Sequence, residues 1–97
     1  MRVGFRTRQL ERCFNAEREA ARAWGAVVGR RFILRVLALQ QSHRLDELFG
    51  SSALRFHPLS GSRTEQYALT LQGRWRLIIT VEKDLVMVEE VTNHYGD

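Results

Sequence analysis

Hydrophobic and polar residues alternate in three consecutive stretches near the end of this 97-residue chain, at residues 67–71, 73–81 and 85–91. Alternation with a period of two predicts β-strands that are buried on one face. The connections between the stretches are so short that only hairpins can join them. The pattern therefore predicts a three-stranded antiparallel meander with residues 73–81 as its central strand.

Two-residue turns at Gln72-Gly73 and Lys83-Asp84 would fix the register of this meander. The face that we expect to pack on the core then consists of Ala68, Thr70, Trp75, Leu77, Ile79, Val81, Val86 and Val88. The opposite face consists of Tyr67, Leu69, Arg74, Arg76, Ile78, Thr80 and Glu89. That second face is apolar toward one end and rich in arginine toward the other, and a one-residue slip would exchange the two faces.

The period becomes helical in the N-terminal half. Residues 9–24 place apolar side chains at helical spacing among Arg and Glu, and Gly25 then interrupts the pattern. A second helix is predicted for residues 26–41. Its wide apolar stripe consists of Val27, Val28, Phe32, Ile33, Leu34, Val36, Leu37 and Leu39. We expect the two helices to form a hairpin that covers the core face of the sheet.

Two further stretches show β-type alternation. Residues 2–6 predict an edge strand, and residues 54–58 predict a strand in which Pro58 marks a sheet edge or a strand end. Ser42 can cap a short turn over residues 45–48, and residues 59–66 form a polar loop. The fold class expected is therefore α+β, a single domain spanning residues 1–97 with an N-terminal helical hairpin on a small twisted antiparallel sheet.

Length and composition exclude several classes of protein and several kinds of site. The chain has no apolar run of about 18 residues, which excludes a membrane-spanning helix. Its first residues lack the apolar region of a secretory signal, so a cytoplasmic location is expected. Cys13 is the single cysteine, so no intramolecular disulfide can form. His43, His57 and His94 are too scattered to predict a metal site, and no cofactor-binding motif is present.

The charge of the chain is basic and unevenly distributed. The formal net charge is +4, and Lys83 is the single lysine among 15 basic residues. Residues 1–35 contain nine arginines and three glutamates. Guanidinium groups bind phosphates and carboxylates in a bidentate manner, so this half of the chain is either a solvated helix surface or a docking surface for nucleic acid or an acidic partner.

Three short fragments follow the helical region in a fixed order: Arg-Phe-His-Pro-Leu-Ser-Gly at 55–61, Gly-Arg-Trp-Arg-Leu at 73–77, and Glu-Val-Thr-Asn-His-Tyr at 90–95. Together with Ala-Trp-Gly at 23–25, they resemble the HigB branch of the RelE superfamily, the toxins of bacterial type II toxin–antitoxin pairs. The resemblance covers nearly the whole chain. It implies a RelE-like fold, a ribosome-dependent endoribonuclease that cuts mRNA, and a cognate antitoxin as protein partner.

Metal-free RNA cleavage needs a base for the 2′-OH, a cation at the phosphate and an acid for the departing 5′-oxygen. By the resemblance, His57 matches the histidine of the family's His-Pro-Leu segment, Arg76 matches the arginine after the tryptophan, and His94 matches the C-terminal histidine. We expect His57 and His94 to transfer protons, in an order left open, and Arg76 to hold the scissile phosphate. Pairing of Arg76 with Val91 would bring the tail that leads to His94 beside it.

Further residues are expected to bind RNA around these three. They are Arg55, which shares a strand face with His57, and Arg63, Arg74, Asn93 and Tyr95. The chain departs from the family pattern in having Ser60 where relatives often have lysine, and Thr92-Asn93 where they have Asp-Tyr. Two alternatives therefore stay open: a non-enzymatic toxin that binds DNA gyrase, as in the ParE branch, and a catalytically degenerate module that binds the antitoxin.

Overall fold

The computed structural model describes residues 1–44, 56–58 and 65–94, and it describes the side chains of these residues except at 56–58 and 65. Two of the sequence-based predictions, the turn at 45–48 and most of the loop at 59–66, lie outside this part of the chain. The elements are β1 (Arg2–Phe5), α1 (Arg8–Asn15), α2 (Glu17–Trp24), α3 (Ala26–Gln41), β2 (Phe56–Pro58), β3 (Glu65–Gln72), β4 (Trp75–Glu82) and β5 (Leu85–Thr92). The α+β class is confirmed.

The strands form one sheet in the order β1-β5-β4-β3-β2. The predicted meander is β3, β4 and β5, and Pro58 ends the edge strand β2, as expected. β1 is the edge strand predicted at the N-terminus, but it pairs with β5 in parallel, so the expectation of a wholly antiparallel sheet was wrong. A parallel pair needs a long crossover between its strands, and the helices and the other strands lie between β1 and β5.

The register of β3 differs from the predicted one by a single residue. The two residues of the first turn are Gly73 and Arg74, and the register shifts between Thr70 and Gln72. As a result Tyr67, Leu69 and Leu71 belong to the core, whereas the sequence assigned Ala68 and Thr70 to it. The reason is that one extra residue in a strand moves its side chains to the opposite face.

A second irregularity lies in β5. Val86 and Val88 face the core, as predicted, but the register shifts between Ile78 and Ile79 of β4, so that Glu89 has no direct partner there. Arg76 therefore pairs with Thr92, and the expected pairing with Val91 was wrong. The tail after Thr92 still begins beside Arg76.

Residues 1–44 contain three helices and not the two predicted, because the first predicted helix is broken at Ala16. This residue has extended backbone angles, φ −143° and ψ 112°, and it ends α1 and precedes α2. No glycine or proline marks the break, so the sequence pattern did not reveal it. α1 begins after Thr7, whose Oγ1 accepts a hydrogen bond of 3.2 Å from the Leu10 amide, and α3 has the bounds that the sequence predicted.

α3 lies against the sheet with only part of its apolar surface. Val28, Phe32, Val36 and Leu39 are buried in the core, whereas Val27, Leu34 and Leu37 are exposed, which corrects the prediction that the whole stripe covers the sheet. Polar contacts also fix this helix. Arg31 donates a hydrogen bond of 2.8 Å to the carbonyl of Leu71, and Arg35 donates one of 3.3 Å to that of Thr70.

The core lies between the helices and one face of the sheet. Trp75 packs against it at the start of β4, as predicted. Cys13 of α1 is buried there as well, and burial raises the pKa of its thiol, so it behaves as a small apolar side chain. No helix in the described part of the chain is long and apolar enough to cross a membrane.

Candidate functional site

The sheet face that points away from the helices carries the candidate site, and we call it the outer face. Its members on β3, β4 and β5 are Gln66, Ala68, Thr70, Arg76, Ile78, Thr80, Glu82, Leu85, Met87, Glu89, Glu90 and Thr92. Ala68 and Ile78 are buried at its centre, and Glu90 is exposed. The β3 bulge replaces the predicted Tyr67 and Leu69 on this face with smaller or polar residues, so the face is less apolar than the sequence suggested.

Arg76 stands on the outer face in a row with Thr70 and Thr92. Its Nη1 atom donates hydrogen bonds to the carbonyls of Gly73, at 2.6 Å, and of Trp75, at 2.9 Å. Gly73 belongs to the β3–β4 turn and Trp75 is the first residue of β4, so the guanidinium is folded toward that end of the sheet. The predicted phosphate-binding cation is thus positioned by backbone acceptors at the end of the sheet where β5 finishes.

His94 follows β5 and lies at the same end. Its amide donates a hydrogen bond of 3.1 Å to the Thr92 hydroxyl, which fixes the chain just after the residue that pairs with Arg76. The imidazole position is exposed. The tail that leads to His94 therefore begins beside Arg76, as predicted. The residue of β5 that pairs with Arg76 is Thr92, however, and not Val91.

Two shallow grooves meet at His94. The turn groove, of about 590 Å³, is lined by Gln72, Gly73, Arg74, Trp75, Asn93 and His94. The sheet groove, of about 600 Å³, is lined by Arg6, Gln66, Ile78, Glu89, Glu90, Thr92 and His94. Three residues predicted to act on RNA, Arg74, Asn93 and His94, therefore line one groove beside the turn to which Arg76 is bonded.

His57 is placed by its backbone alone. It pairs with Ala68, which pairs with Ile78, so position 57 belongs to the same row of the sheet as Ile78. Two strand spacings and two residues along a strand separate this position from Arg76, a Cα separation of about 12 Å. Positions 57 and 76 therefore share one face of the sheet. The other predicted RNA-binding residues, Arg55, Arg63 and Tyr95, lie outside the described residues.

An ion pair that the sequence did not reveal borders the sheet groove. Arg6 donates from Nε to Glu89 Oε1 at 2.9 Å and from Nη2 to Oε2 at 2.8 Å, and the Thr80 hydroxyl donates to Oε2 at 2.7 Å. The hydrogen bond from Arg6 holds the pKa of Glu89 below its usual value, and the bond from Thr80 adds to this effect. Donating these hydrogen bonds to Glu89 likewise raises the pKa of Arg6. The two hydrogen bonds between Arg6 and Glu89 form a fork that connects the end of β1 to β5 on the outer face.

Glu90 was also missed. Consecutive residues of a regular strand point to opposite faces, so the Glu89-Glu90 pair gave no reason to place both carboxylates on one face. The β5 bulge places both there, and the two line the sheet groove together with His94. No pattern in a single sequence signals such a bulge.

The arrangement suits acid–base chemistry on a phosphate ester. Histidine can act as a general acid or base, and guanidinium groups can bind the phosphate oxygens. No group of three or more metal-binding side chains occurs among residues 1–44 and 65–94.

No family model, curated protein or solved structure matches this chain.

Proposed function

We propose that the protein is the toxin of a type II toxin–antitoxin pair, a RelE-like protein of the HigB branch that cuts mRNA on the ribosome in the cytoplasm and is neutralised by a cognate antitoxin. One observation carries the proposal. The pairing of Arg76 with Thr92 brings His94 to the turn groove, where Arg74 and Asn93 also lie. Two cations, an amide and an imidazole at one end of the outer face match the needs of RNA binding and cleavage.

In the proposed reaction the mRNA backbone crosses the end of the outer face at Arg76. The guanidinium stabilises the charge that develops on the scissile phosphate. His94 and His57 act as the proton-transfer pair on the two sides of that phosphate: one accepts the proton of the 2′-OH, and the other protonates the departing 5′-oxygen. The Cα separation of about 12 Å between positions 57 and 76 is a distance that a bound nucleotide can span.

The turn groove would hold the neighbouring part of the RNA. Arg74 is exposed on the β3–β4 turn and can bind a phosphate, while the Asn93 side chain offers both a donor and an acceptor to a base edge or a 2′-OH. Both residues lie beside His94. Substrate binding and proton transfer would thus take place at the same end of the sheet.

The carboxylates of the sheet groove favour a second candidate function. In this alternative the protein binds the antitoxin but does not catalyse a reaction. Glu90 is an exposed carboxylate in the groove that His94 also lines. A carboxylate in this position repels RNA phosphates. The outcome of an RNA cleavage experiment distinguishes the two candidates.

The test is to map mRNA 5′ ends after brief expression of the wild type and of His94→Ala in a bacterial host without an antitoxin. New 5′ ends within translated regions that are absent from the His94→Ala culture are expected. Growth arrest without new ends would refute the nuclease, and DNA breaks in that culture would point to gyrase. If neither variant affects growth or mRNA, the antitoxin-binding module replaces the enzyme as the function.

A further inference from the structure

The helical layer exposes an apolar stripe on the side of the molecule opposite to the outer face. Val27, Leu34 and Leu37 of α3 have 47%, 51% and 37% of their surface exposed, and they are the large apolar residues that are exposed within the described ranges. Their spacing of seven and three residues places them on one side of the helix, with Arg30 between them. We call these four residues the α3 stripe.

The α3 stripe is not an extension of the core. Val28, Phe32 and Val36 are almost fully buried against the sheet, and on a helical wheel their mean direction is opposite to that of the stripe. An exposed row of leucine and valine on a small protein commonly marks an interaction site. From residue 27 to residue 37 the stripe is about 15 Å long, which matches three turns of a partner helix.

The spacing of the stripe indicates a helical partner. Val27 and Leu34 are one heptad apart, as are Arg30 and Leu37, so the four residues occupy the two core positions of consecutive heptads. This is the pattern with which one helix packs along another. Arg30 takes one of the core positions, where Glu17 of α2 already accepts from it, and a carboxylate on a partner could bind the rest of its guanidinium.

The charge of α3 decides which partner fits. Ala26–Gln41 contains Arg30, Arg31 and Arg35 and no acidic residue. Arg30 is bonded to Glu17 of α2 at 3.1 Å, but both groups are largely exposed, and the Nη1 of Arg31 is bonded to a neutral backbone carbonyl. The surface around the stripe therefore has an excess of positive charge. Pairing two copies of α3 would bring like charges together, whereas carboxylates would complement them.

We propose that the α3 stripe binds an acidic amphipathic helix of a partner protein, with apolar side chains on Val27, Leu34 and Leu37 and carboxylates near Arg30 and Arg31. The bound helix would lie on the opposite side of the molecule from Arg76 and His94. A partner held there leaves the outer face open. The inference rests on the exposure, spacing and charge of α3 and not on the proposed RNA cleavage, so either can fail without the other.

The experiment uses the full chain and three labelled synthetic peptides of three heptads each. All carry leucine at the two core positions, and the flanking e and g positions carry Glu, Gln or Lys. Fluorescence anisotropy gives the affinity of each peptide for the wild type, for Leu34→Asn and for Arg30→Gln. Leu85→Asn, the same change on the outer face, is the matched control.

The Glu peptide is expected to bind the wild type and Leu85→Asn equally, and to bind more tightly than the Gln peptide. Leu34→Asn should weaken binding about tenfold or more, because a leucine side chain is no longer buried. Arg30→Gln should weaken it and reduce its dependence on salt. The proposal is overturned if the Glu peptide does not bind, binds no more tightly than the Lys peptide, or binds Leu34→Asn as well as the wild type.

Sedimentation equilibrium tests the other possible occupant. The wild type is expected to be a monomer at the concentrations used for binding. A wild-type dimer that becomes monomeric in Leu34→Asn, but not in Leu85→Asn, would show that a second copy of this chain covers the stripe. That result would replace the acidic partner.

Discussion

Gly29 of α3 lies against the backbone of Ala20 in α2. A β-carbon added at position 29 would be 2.7 Å from the carbonyl carbon of Ala20 and 2.9 Å from its Cβ. Real side chains essentially never come so close to backbone atoms. The two helices can therefore pack at this distance only with glycine at position 29. Trp24 of α2 and Phe32 of α3 also meet edge-on, with their ring centroids 4.9 Å apart.

Gly29→Ala is expected to destabilise the protein by about 1–2 kcal/mol, although alanine favours a helix by about 1 kcal/mol relative to glycine. Urea unfolding measures the change. Adding Ala20→Gly should not restore stability, because two of the three nearest atoms, the Ala20 carbonyl carbon and the Ala21 nitrogen, belong to the backbone. A Gly29→Ala protein as stable as the wild type would show that α2 and α3 can move apart without loss.

Glu89→Gln is expected to lower stability at pH 7 and to change its dependence on pH. The hydrogen bond from Arg6 lowers the pKa of Glu89 in the folded state, so ionised Glu89 stabilises the fold at pH values above its unfolded pKa of about 4.3. That contribution is lost as the pH falls through the lower pKa of the folded state. Thermal unfolding from pH 7 to pH 3 should thus show a difference between wild type and Glu89→Gln that shrinks toward acid.

The matched control for this prediction is Glu82→Gln, which removes an exposed carboxylate at the end of β4. It should change stability little at either pH. If Glu82→Gln and Glu89→Gln behave alike, the fork between Arg6 and Glu89 contributes nothing specific to the fold.

The two hairpin turns give a reciprocal pair of predictions. Lys83 has φ +57° and Gly73 has φ +55°, and each is the first residue of its turn. Lys83→Gly is expected to stabilise the protein by about 0.5–1 kcal/mol, because an L side chain is strained at this angle. Gly73→Ala should destabilise it by about 1 kcal/mol. A β-carbon there meets no atom within 4 Å, so the cost comes from the backbone alone.

Both changes can be measured by thermal unfolding of the otherwise unchanged chain. Opposite shifts in midpoint are expected. Shifts of the same sign would mean that the positive φ angles do not determine the stability of the turns.

Arg76→Ala and His94→Ala are each expected to abolish toxicity while the protein stays folded. Removal of a proton-transfer group costs about 10²–10⁴-fold in rate, and loss of a cation at the phosphate costs at least as much as a lost oxyanion donor, about 10²-fold. Purified ribosomes with a defined mRNA provide the rate. Arg2→Ala, which removes an exposed arginine at the far edge of the sheet, is the control and should cut normally.

Circular dichroism must show the same helix content in these variants as in the wild type. Retained cleavage by both Arg76→Ala and His94→Ala would remove the proposed site. Loss of cleavage in Arg2→Ala as well would indicate that overall positive charge, and not the site, controls the activity.

The local pattern of the sequence predicted where α3 and most of the strands lie. The exact bounds of α3, the meander of β3, β4 and β5, and the edge position of Pro58 were predicted because helical and strand periods, turns and proline act over a few neighbouring residues. The break at Ala16 was missed, because neither glycine nor proline marks it and Asn15 beside it is only a weak helix breaker. The chain bends there, and α2 packs on α3 at Gly29.

The candidate site was predicted in part. Arg76, Arg74, Asn93 and His94 were recognised from their types and order, and the structure gathers the last three in one groove. The residues that surround them, Arg6 and Glu90, were not recognised. Arg6 lies at the site because β1 pairs in parallel with β5, which is more than 80 residues away in the chain. Glu90 shares a face with Glu89 only because of the bulge in β5.

The sequence by itself determined the positions of the strands and of α3, the basic character of the helical half and the choice of candidate residues for a phosphate site, because these depend on residue type and short-range spacing. Only the tertiary structure decided which sheet face each residue occupies. Faces depend on register, and register depends on two bulges, at each of which one extra residue moves the side chains that follow to the opposite face. The same packing decided which apolar residues of α3 remain on the surface.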